Sequence, residues 1–173
     1  EAKKGNAFTK AEVKQIIDFC AANRQFAGNS AMLLLLYTGM RVGEIDSMEF
    51  DGKYITCVSE KTRKGRKDVI RKIPLSPMLK RVMPLIDLEQ AKAVSRYTIR
   101  DALKRIFPDR HIHELRYTFI TRAKECGCNP EIVMKWVGHE YDQDVKTSRV
   151  DRGYTDYSEE YALQEINKID YEL

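Results

Sequence analysis

Side chains able to grip and attack a phosphodiester are spread along this chain. His113 and Arg116 stand about one helical turn apart in His113-Glu114-Leu115-Arg116, His139 follows Gly138, and Tyr154 comes soon after. Arg41, in Thr38-Gly39-Met40-Arg41-Val42-Gly43-Glu44, lies far upstream, where a strongly apolar segment ends. A phosphate under attack gathers negative charge on its oxygens, and fixed cations and donors around them lower the barrier. Each arginine presents a planar fork of donors, so Arg41 and Arg116 together could clamp the non-bridging oxygens. The plainer reading of Arg41 is a helix-end arginine paired with Glu44. A tyrosine is a workable nucleophile if something takes its proton. Its free pKa is about 10, so ionising it beforehand at neutral pH costs about 4 kcal/mol. A base acting during attack avoids that cost. Tyr157, three residues on, is the rival nucleophile in a chain with 9 tyrosines.

Zinc-ligand residue types also occur: His111, His113, His139, Cys126 and Cys128. Cys126-x-Cys128 lacks the usual two-residue spacer, and His113 is better explained by the phosphate set, so neither a metal site nor a cofactor is expected. Cationic side chains would take the place of the ion.

These residues need elements to position them. Thr9 followed by Glu12 is a capping-box pattern, with Val13, Ile16, Ile17 and Cys20 on one face behind it, which predicts a first helix. Asn29 or Ser30 is expected to cap a buried helix through Ala31–Tyr37 that Gly39 ends, with a short helix restarting near Val42. Met48–Phe50, the turn Asp51-Gly52 and Lys53–Val58 read as a hairpin, Lys64-Gly65 as another turn, and Asp68–Leu75 as a third strand. Helices are expected around 76–86, 95–106, 113–126, 129–138 and 158–168, with Asn129-Pro130 marking a helix start. The expected fold is mainly α with a small three-stranded antiparallel β-sheet, an α+β domain spanning 1–173.

The 173 residues suit one domain with a sizeable core, and 43% hydrophobic with 32% charged residues reads as globular rather than disordered. The net charge of +4 is mildly basic. Its distribution says more. Between 61 and 72 lie Lys61, Arg63, Lys64, Arg66, Lys67, Arg71 and Lys72 against Asp68, whereas the stretch from Tyr157 onward is acidic. A polyanion suits the first and a protein surface the second. The cysteines, Cys20, Cys57, Cys126 and Cys128, do not form a disulfide framework, so a reduced, cytoplasmic setting is expected. The longest apolar run, Ala31–Tyr37, is too short to span a bilayer. The chain begins without Met, and a fragment of a longer protein is one expectation.

In order along the chain, TGMRVGEI, EKTRKGRKDVIRKIPLS, HELRYTFITRAKECGCNPEIVMKWVGHE and RGYTDYSEEYALQEINKI resemble the four catalytic blocks of the tyrosine recombinases, the integrases of phages and mobile elements. The resemblance runs from about Thr9 to Ile169. It implies the fold of that family's catalytic domain, without the amino-terminal DNA-clasping domain of its members. It further implies a catalytic set of Arg41, Lys61, His113, Arg116, His139 and Tyr154. Tyr154 would be the nucleophile, favoured over Tyr157 by its Gly-Tyr-Thr-x-x-Ser context. His113 would be the proton handler, His139 a donor to a phosphate oxygen, and Lys61 the lysine that assists the leaving 5′ oxygen, with Lys64 as the alternative. Arg63, Lys64, Arg66 and Lys67 would position DNA phosphates. Family members often carry a histidine two residues after the nucleophile, where this chain has Asp156, and a second histidine where it has Tyr117.

The function so implied is site-specific cleavage and rejoining of double-stranded DNA through a 3′-phosphotyrosyl intermediate, without metal or ATP. A homotetramer would do it on two duplexes, possible accessory DNA-bending proteins would assist, and no membrane is involved. The tail 158–173 could dock in trans on a neighbouring protomer. A type IB topoisomerase, which reseals the original strand, and a non-catalytic DNA-binding module are the alternatives.

Overall fold

The computed structural model describes residues 6–60, 69–139 and 156–173. Its core is organised around α2 (Asn29–Thr38), in which every residue is buried. A helix apolar on all sides must be sheathed by others. α1 (Lys10–Ala22), α3 (Pro77–Val82), α4 (Leu88–Ala93), α5 (Arg96–Lys104) and α6 (His113–Glu125) all pack against it. α1 starts at the expected capping box: Thr9 Oγ1 accepts from Glu12 N, and Glu12 Oε1 accepts from Thr9 N.

α2 differs at its start from the sequence expectation. Gly28 occupies the cap position, and neither Asn29 nor Ser30 caps. Both side chains serve tertiary contacts instead: Asn29 Nδ2 donates to Asn23 O, and Ser30 Oγ accepts from Asp87 N. The far end follows expectation. Gly39 takes φ +69° and donates to Leu35 O. A methyl group there would lie 2.6 Å from both Phe119 Cδ1 and Val137 Cγ1, so bulk and backbone conformation both require glycine.

A 3₁₀ helix (Val42–Ser47) leads into the sheet: β1 (Glu49–Phe50), β2 (Tyr54–Val58) and β3 (Ile70–Pro74), antiparallel in the order β1-β2-β3. Asp51 Oδ1 accepts from Lys53 N and Tyr54 N and shapes the first turn. In β2 and β3, Cys57 faces Arg71 and Ile55 faces Ile73, all buried. Arg71 therefore lies on the inward face of β3, while Ile70 is 68% exposed. The turn expected at Lys64-Gly65 lies outside the described residues. After α3 the chain turns through a short 3₁₀ segment (Met83–Leu85) into α4, which the sequence reading missed; Asp87 caps it by accepting from Gln90 N. α7 (Pro130–Val137) is capped by Asn129 and ends at Gly138, φ +77°. α8 (Glu159–Ile166) packs against β3.

Two segments tie the ends of the domain down. Asn6 N donates to Glu114 Oε2, Phe8 N donates to Thr118 Oγ1 at 2.8 Å, Arg122 donates to Phe8 O, and the Phe8 ring is fully buried under the Arg110 guanidinium. Residues 6–8 thus form a strap across α6. At the other end Ile166 and Ile169 are buried, Glu159 Oε1 accepts from Tyr54 Oη and Lys53 Nζ, and Asp170 pairs with Arg81 at 2.6 Å. The four cysteines are free thiols, and no described helix is long and apolar enough to cross a membrane.

Candidate functional site

Arg41 sits at the cap of the 3₁₀ helix just after the α2 terminus, 6% exposed. Its backbone N donates to Glu44 Oε1 at 2.8 Å, and its guanidinium lies 3.6 Å from Glu44 Oε2. The local pairing foreseen as the plainer reading is therefore present. It does not remove Arg41 from the site. Arg116, on the buried side of α6, has Arg41 as its strongest electrostatic neighbour. Arg116 Nη1 donates to Gly39 O at 2.8 Å and to Val137 O at 2.5 Å. One guanidinium thereby fastens the turn two residues before Arg41 to the turn two residues before His139. Burial first, and then the Arg41 charge, push its pKa down to about 10, so it stays cationic at neutral pH.

His139 is half-buried beyond the end of α7. Burial and the charges of Arg116, Arg41 and Lys124 hold its imidazole below the ordinary value of 6.5. His113 opens α6 and is exposed, its ring edge-on to Tyr117 at 5.1 Å. His113, Arg116 and Tyr117 all belong to the first two turns of one helix. Arg41, Arg116 and His139 are held as neighbours from three separate segments. Lys61, Arg63, Lys64, Arg66, Lys67 and Tyr154 lie outside the described residues. The described neighbour of Lys61 is fixed, since Glu60 N donates to Glu44 Oε2 at 2.9 Å.

Tyr157 is engaged elsewhere. Its hydroxyl donates to Glu131 Oε2 at 2.6 Å and accepts from Asn129 Nδ2, with Lys135 Nζ 5.2 Å from the ring centre. The bond to Glu131 raises its pKa. Glu131 lies in the first turn of α7 and His139 beyond its last, a separation of about 12 Å at the helical rise per residue.

Beneath the arginines, Glu44 reaches further than the local pairing with Arg41 that the sequence suggests. Glu44 is completely buried and accepts from Arg41 N, Glu60 N, Arg71 Nη1 (2.6 Å) and Arg71 Nη2 (2.7 Å). Burial alone would raise its pKa, but the hydrogen bonds and charge of Arg71 bring it below the ordinary carboxylate value. Arg71 was counted only as one more cation of the basic run. The alternation that puts Arg71 in phase with the apolar Ile73 along β3 could have revealed it. Glu114 is 6% exposed and accepts from Asn6 N, His111 N and Arg110 Nε, anchoring the first turn of α6. Among the described residues no group of three or more His, Cys, Asp and Glu could hold a metal ion, and Cys128 Sγ donates to Glu165 O.

The lowered pKa of His139 sets a pH dependence. Between the unfolded value near 6.5 and the lower folded value, the unfolded chain binds a proton that the folded chain does not, so stability is full above pH 6.5 and falls as pH drops through that window. Urea unfolding at pH 7 and pH 5 should therefore show a smaller loss for His139→Gln than for the unaltered chain. Equal losses would remove His139 as the cause.

Residues 6–149 match the sequence profile described as the phage integrase family. A tyrosine recombinase of Thermosipho africanus (strain TCF52B) is 28% identical over 151 residues, covering 76% of this chain and 52% of that protein. The chain thus spans about half the length of the curated relative it matches. Among solved structures, a lambda integrase(75–356) dimer bound to a COC′ core site superposes with a TM-score of 0.61 at 18% identity, over 86% of this chain and 63% of that one. The XerA recombinase superposes with a TM-score of 0.55 at 22% identity, over 96% and 64%. Both share its fold, the mainly helical domain with a small antiparallel sheet that the sequence predicted.

Proposed function

The chain belongs to the phage integrase family, and from that premise we propose that it is the catalytic domain of a site-specific DNA recombinase that cleaves and rejoins strands through a phosphotyrosyl bond. The observation that carries the reading is the double anchorage of Arg116 on Gly39 O and Val137 O, which holds Arg41, Arg116 and His139 as neighbours. Two guanidiniums and a largely neutral imidazole suit the non-bridging oxygens of a phosphodiester as charge builds on them.

In the proposed reaction Tyr154 Oη attacks the scissile phosphorus as His113 takes its proton. A 3′-phosphotyrosyl bond forms, the bond from phosphorus to the 5′ oxygen breaks, and Lys61 protonates the departing oxygen. The 5′-hydroxyl of a partner strand then attacks the phosphotyrosyl bond, releasing Tyr154 and resealing the backbone. One phosphoester replaces another at each step, so neither ATP nor a metal ion enters the balance. Arg63, Lys64, Arg66 and Lys67 hold flanking phosphates. The partner is double-stranded DNA, bound by four copies of the full protein. A tetramer of lambda integrase on a Holliday junction is among the solved structures of the same fold.

The test offers the full protein nicked duplexes tiled across the DNA flanking its gene, with EDTA present and nucleotide absent. The expected result is a covalent protein–DNA adduct followed by joining to a second duplex. Resealing of the original strand alone would indicate topoisomerase-type chemistry, and binding without an adduct would reduce the chain to a DNA-binding module.

The tail, residues 158–173, packs on its own domain in the structure, and we propose that it transfers to a neighbouring protomer in the assembly on DNA. Its acidic Glu159, Glu160 and Glu165 and buried Ile166 and Ile169 suit a protein surface. Deleting it from the full protein should lower tetramer assembly and recombination about tenfold or more while first-strand cleavage stays within about threefold. Normal assembly and recombination without the tail would refute the transfer.

A further inference from the structure

We propose that Arg71 is a positioning residue for strand cleavage, setting Arg41, the Ser59-Glu60 segment that precedes Lys61, and His139 in one register. The inference rests on the recombinase reading above. Arg71 is 4% exposed and lies under the site rather than in it. Its guanidinium uses all three nitrogens. Nη1 and Nη2 hold the two oxygens of Glu44, Nη1 also donates to Ser59 Oγ at 2.8 Å, and Nε donates to Trp136 O at 3.0 Å.

Those bonds run to three different parts of the site. Through Glu44 they reach Arg41 N and Glu60 N, the backbone of the first arginine itself and of the residue before Lys61. Through Ser59 they hold the segment that follows the end of β2, two residues before Lys61. Through Trp136 O they hold the last turn of α7. Gly138 also lies against the guanidinium: a methyl group there would lie 2.6 Å from Arg71 Nη1 and 2.8 Å from Cζ. His139 therefore leaves α7 from a glycine resting directly on the Arg71 guanidinium. A rigid fork with donors in three directions can satisfy this set; a lysine, with one nitrogen, keeps the charge and loses the directions.

Arg71 touches no reacting atom in this scheme, so its effect passes through its neighbours and should couple to theirs. Single-turnover cleavage of a nicked duplex at saturating full protein is measured for wild type, Arg71→Lys, His139→Gln and the double variant. DNA affinity and far-UV circular dichroism are recorded for each. Arg71→Lys is expected to cleave about 30-fold more slowly or worse with DNA affinity within about threefold, and the double variant to be within about threefold of the slower single one, as for residues acting as a unit. Wild-type cleavage by Arg71→Lys, a loss that follows affinity, or losses that multiply in the double variant would overturn the proposal. Should Arg71→Lys fail to fold, Ser59→Ala removes one acceptor of the fork and only a hydroxyl. A cleavage rate reduced about threefold or more at unchanged affinity supports the proposal, and a wild-type rate overturns it. Absence of an adduct with wild type would instead count against the recombinase reading itself.

Discussion

Tyr154→Phe is expected to give no covalent adduct on a nicked duplex that traps the wild-type protein, while Tyr157→Phe gives about as much adduct as wild type. Phenylalanine lacks the oxygen that would bond to phosphorus, so the first loss is complete rather than graded. The second substitution touches a hydroxyl already committed to Glu131 and Asn129 near the amino-terminal end of α7. A phenol donating to a carboxylate holds its proton more tightly, as the raised pKa of Tyr157 reflects, and is the poorer nucleophile. Its removal should lower stability by about 1 kcal/mol, the net worth of a side-chain hydrogen bond. Denaturing gels of the trapped complex, with thermal melts of both variants, read the two effects separately. An adduct that persisted in Tyr154→Phe and vanished in Tyr157→Phe would reverse the assignment.

Glu44→Gln should be the most destabilising conservative change in the described site. The carboxylate is fully buried against Arg71 and Arg41, and the amide that replaces it removes the negative charge these two guanidiniums share. Breaking one side of such a buried set costs about 3–5 kcal/mol. At about 2–4 °C per kcal/mol for a chain of this size, the melting temperature should fall by about 6–20 °C. The same contact gives a pH signature. The folded pKa of Glu44 is depressed, so its contribution is fully present above the ordinary carboxylate value and is lost as pH falls from there through the lower folded value. A melting temperature within about 2 °C of wild type would mean that the arginines find other compensation at little cost.

What was legible in the sequence was what repeats or punctuates. The capping box at Thr9, the apolar run of α2 with Gly39 behind it, the Asp51-Gly52 turn and Asn129-Pro130 each mark a boundary by local chemistry, and the structure places elements there. α4 escaped because six residues carry too little periodicity, although Asp87 with Gln90 three residues on is a cap signal. The cap expected from Asn29 or Ser30 fails because Asn29 turns back to the end of α1 at Asn23 and Ser30 accepts from the distant Asp87, so neither oxygen serves the first turn of α2. The same limit applied at the site. Arg41 and Arg116 stand out by their setting in the motifs, whereas Glu44 reads only as a local partner of Arg41 and Arg71 as one cation of a basic run; the strand phase and the chain crossing bring the two together in the interior.

The strap at residues 6–8 gives the domain a mechanical handle. Asn6 is tied to Glu114, and Glu114 is flanked by His113 on one side and is two residues from Arg116 on the other. Phe8 is pinned at both its N–H and its carbonyl to the same helix. A tug or twist applied at Asn6 would arrive as a torque on α6, within one turn of His113 and Arg116.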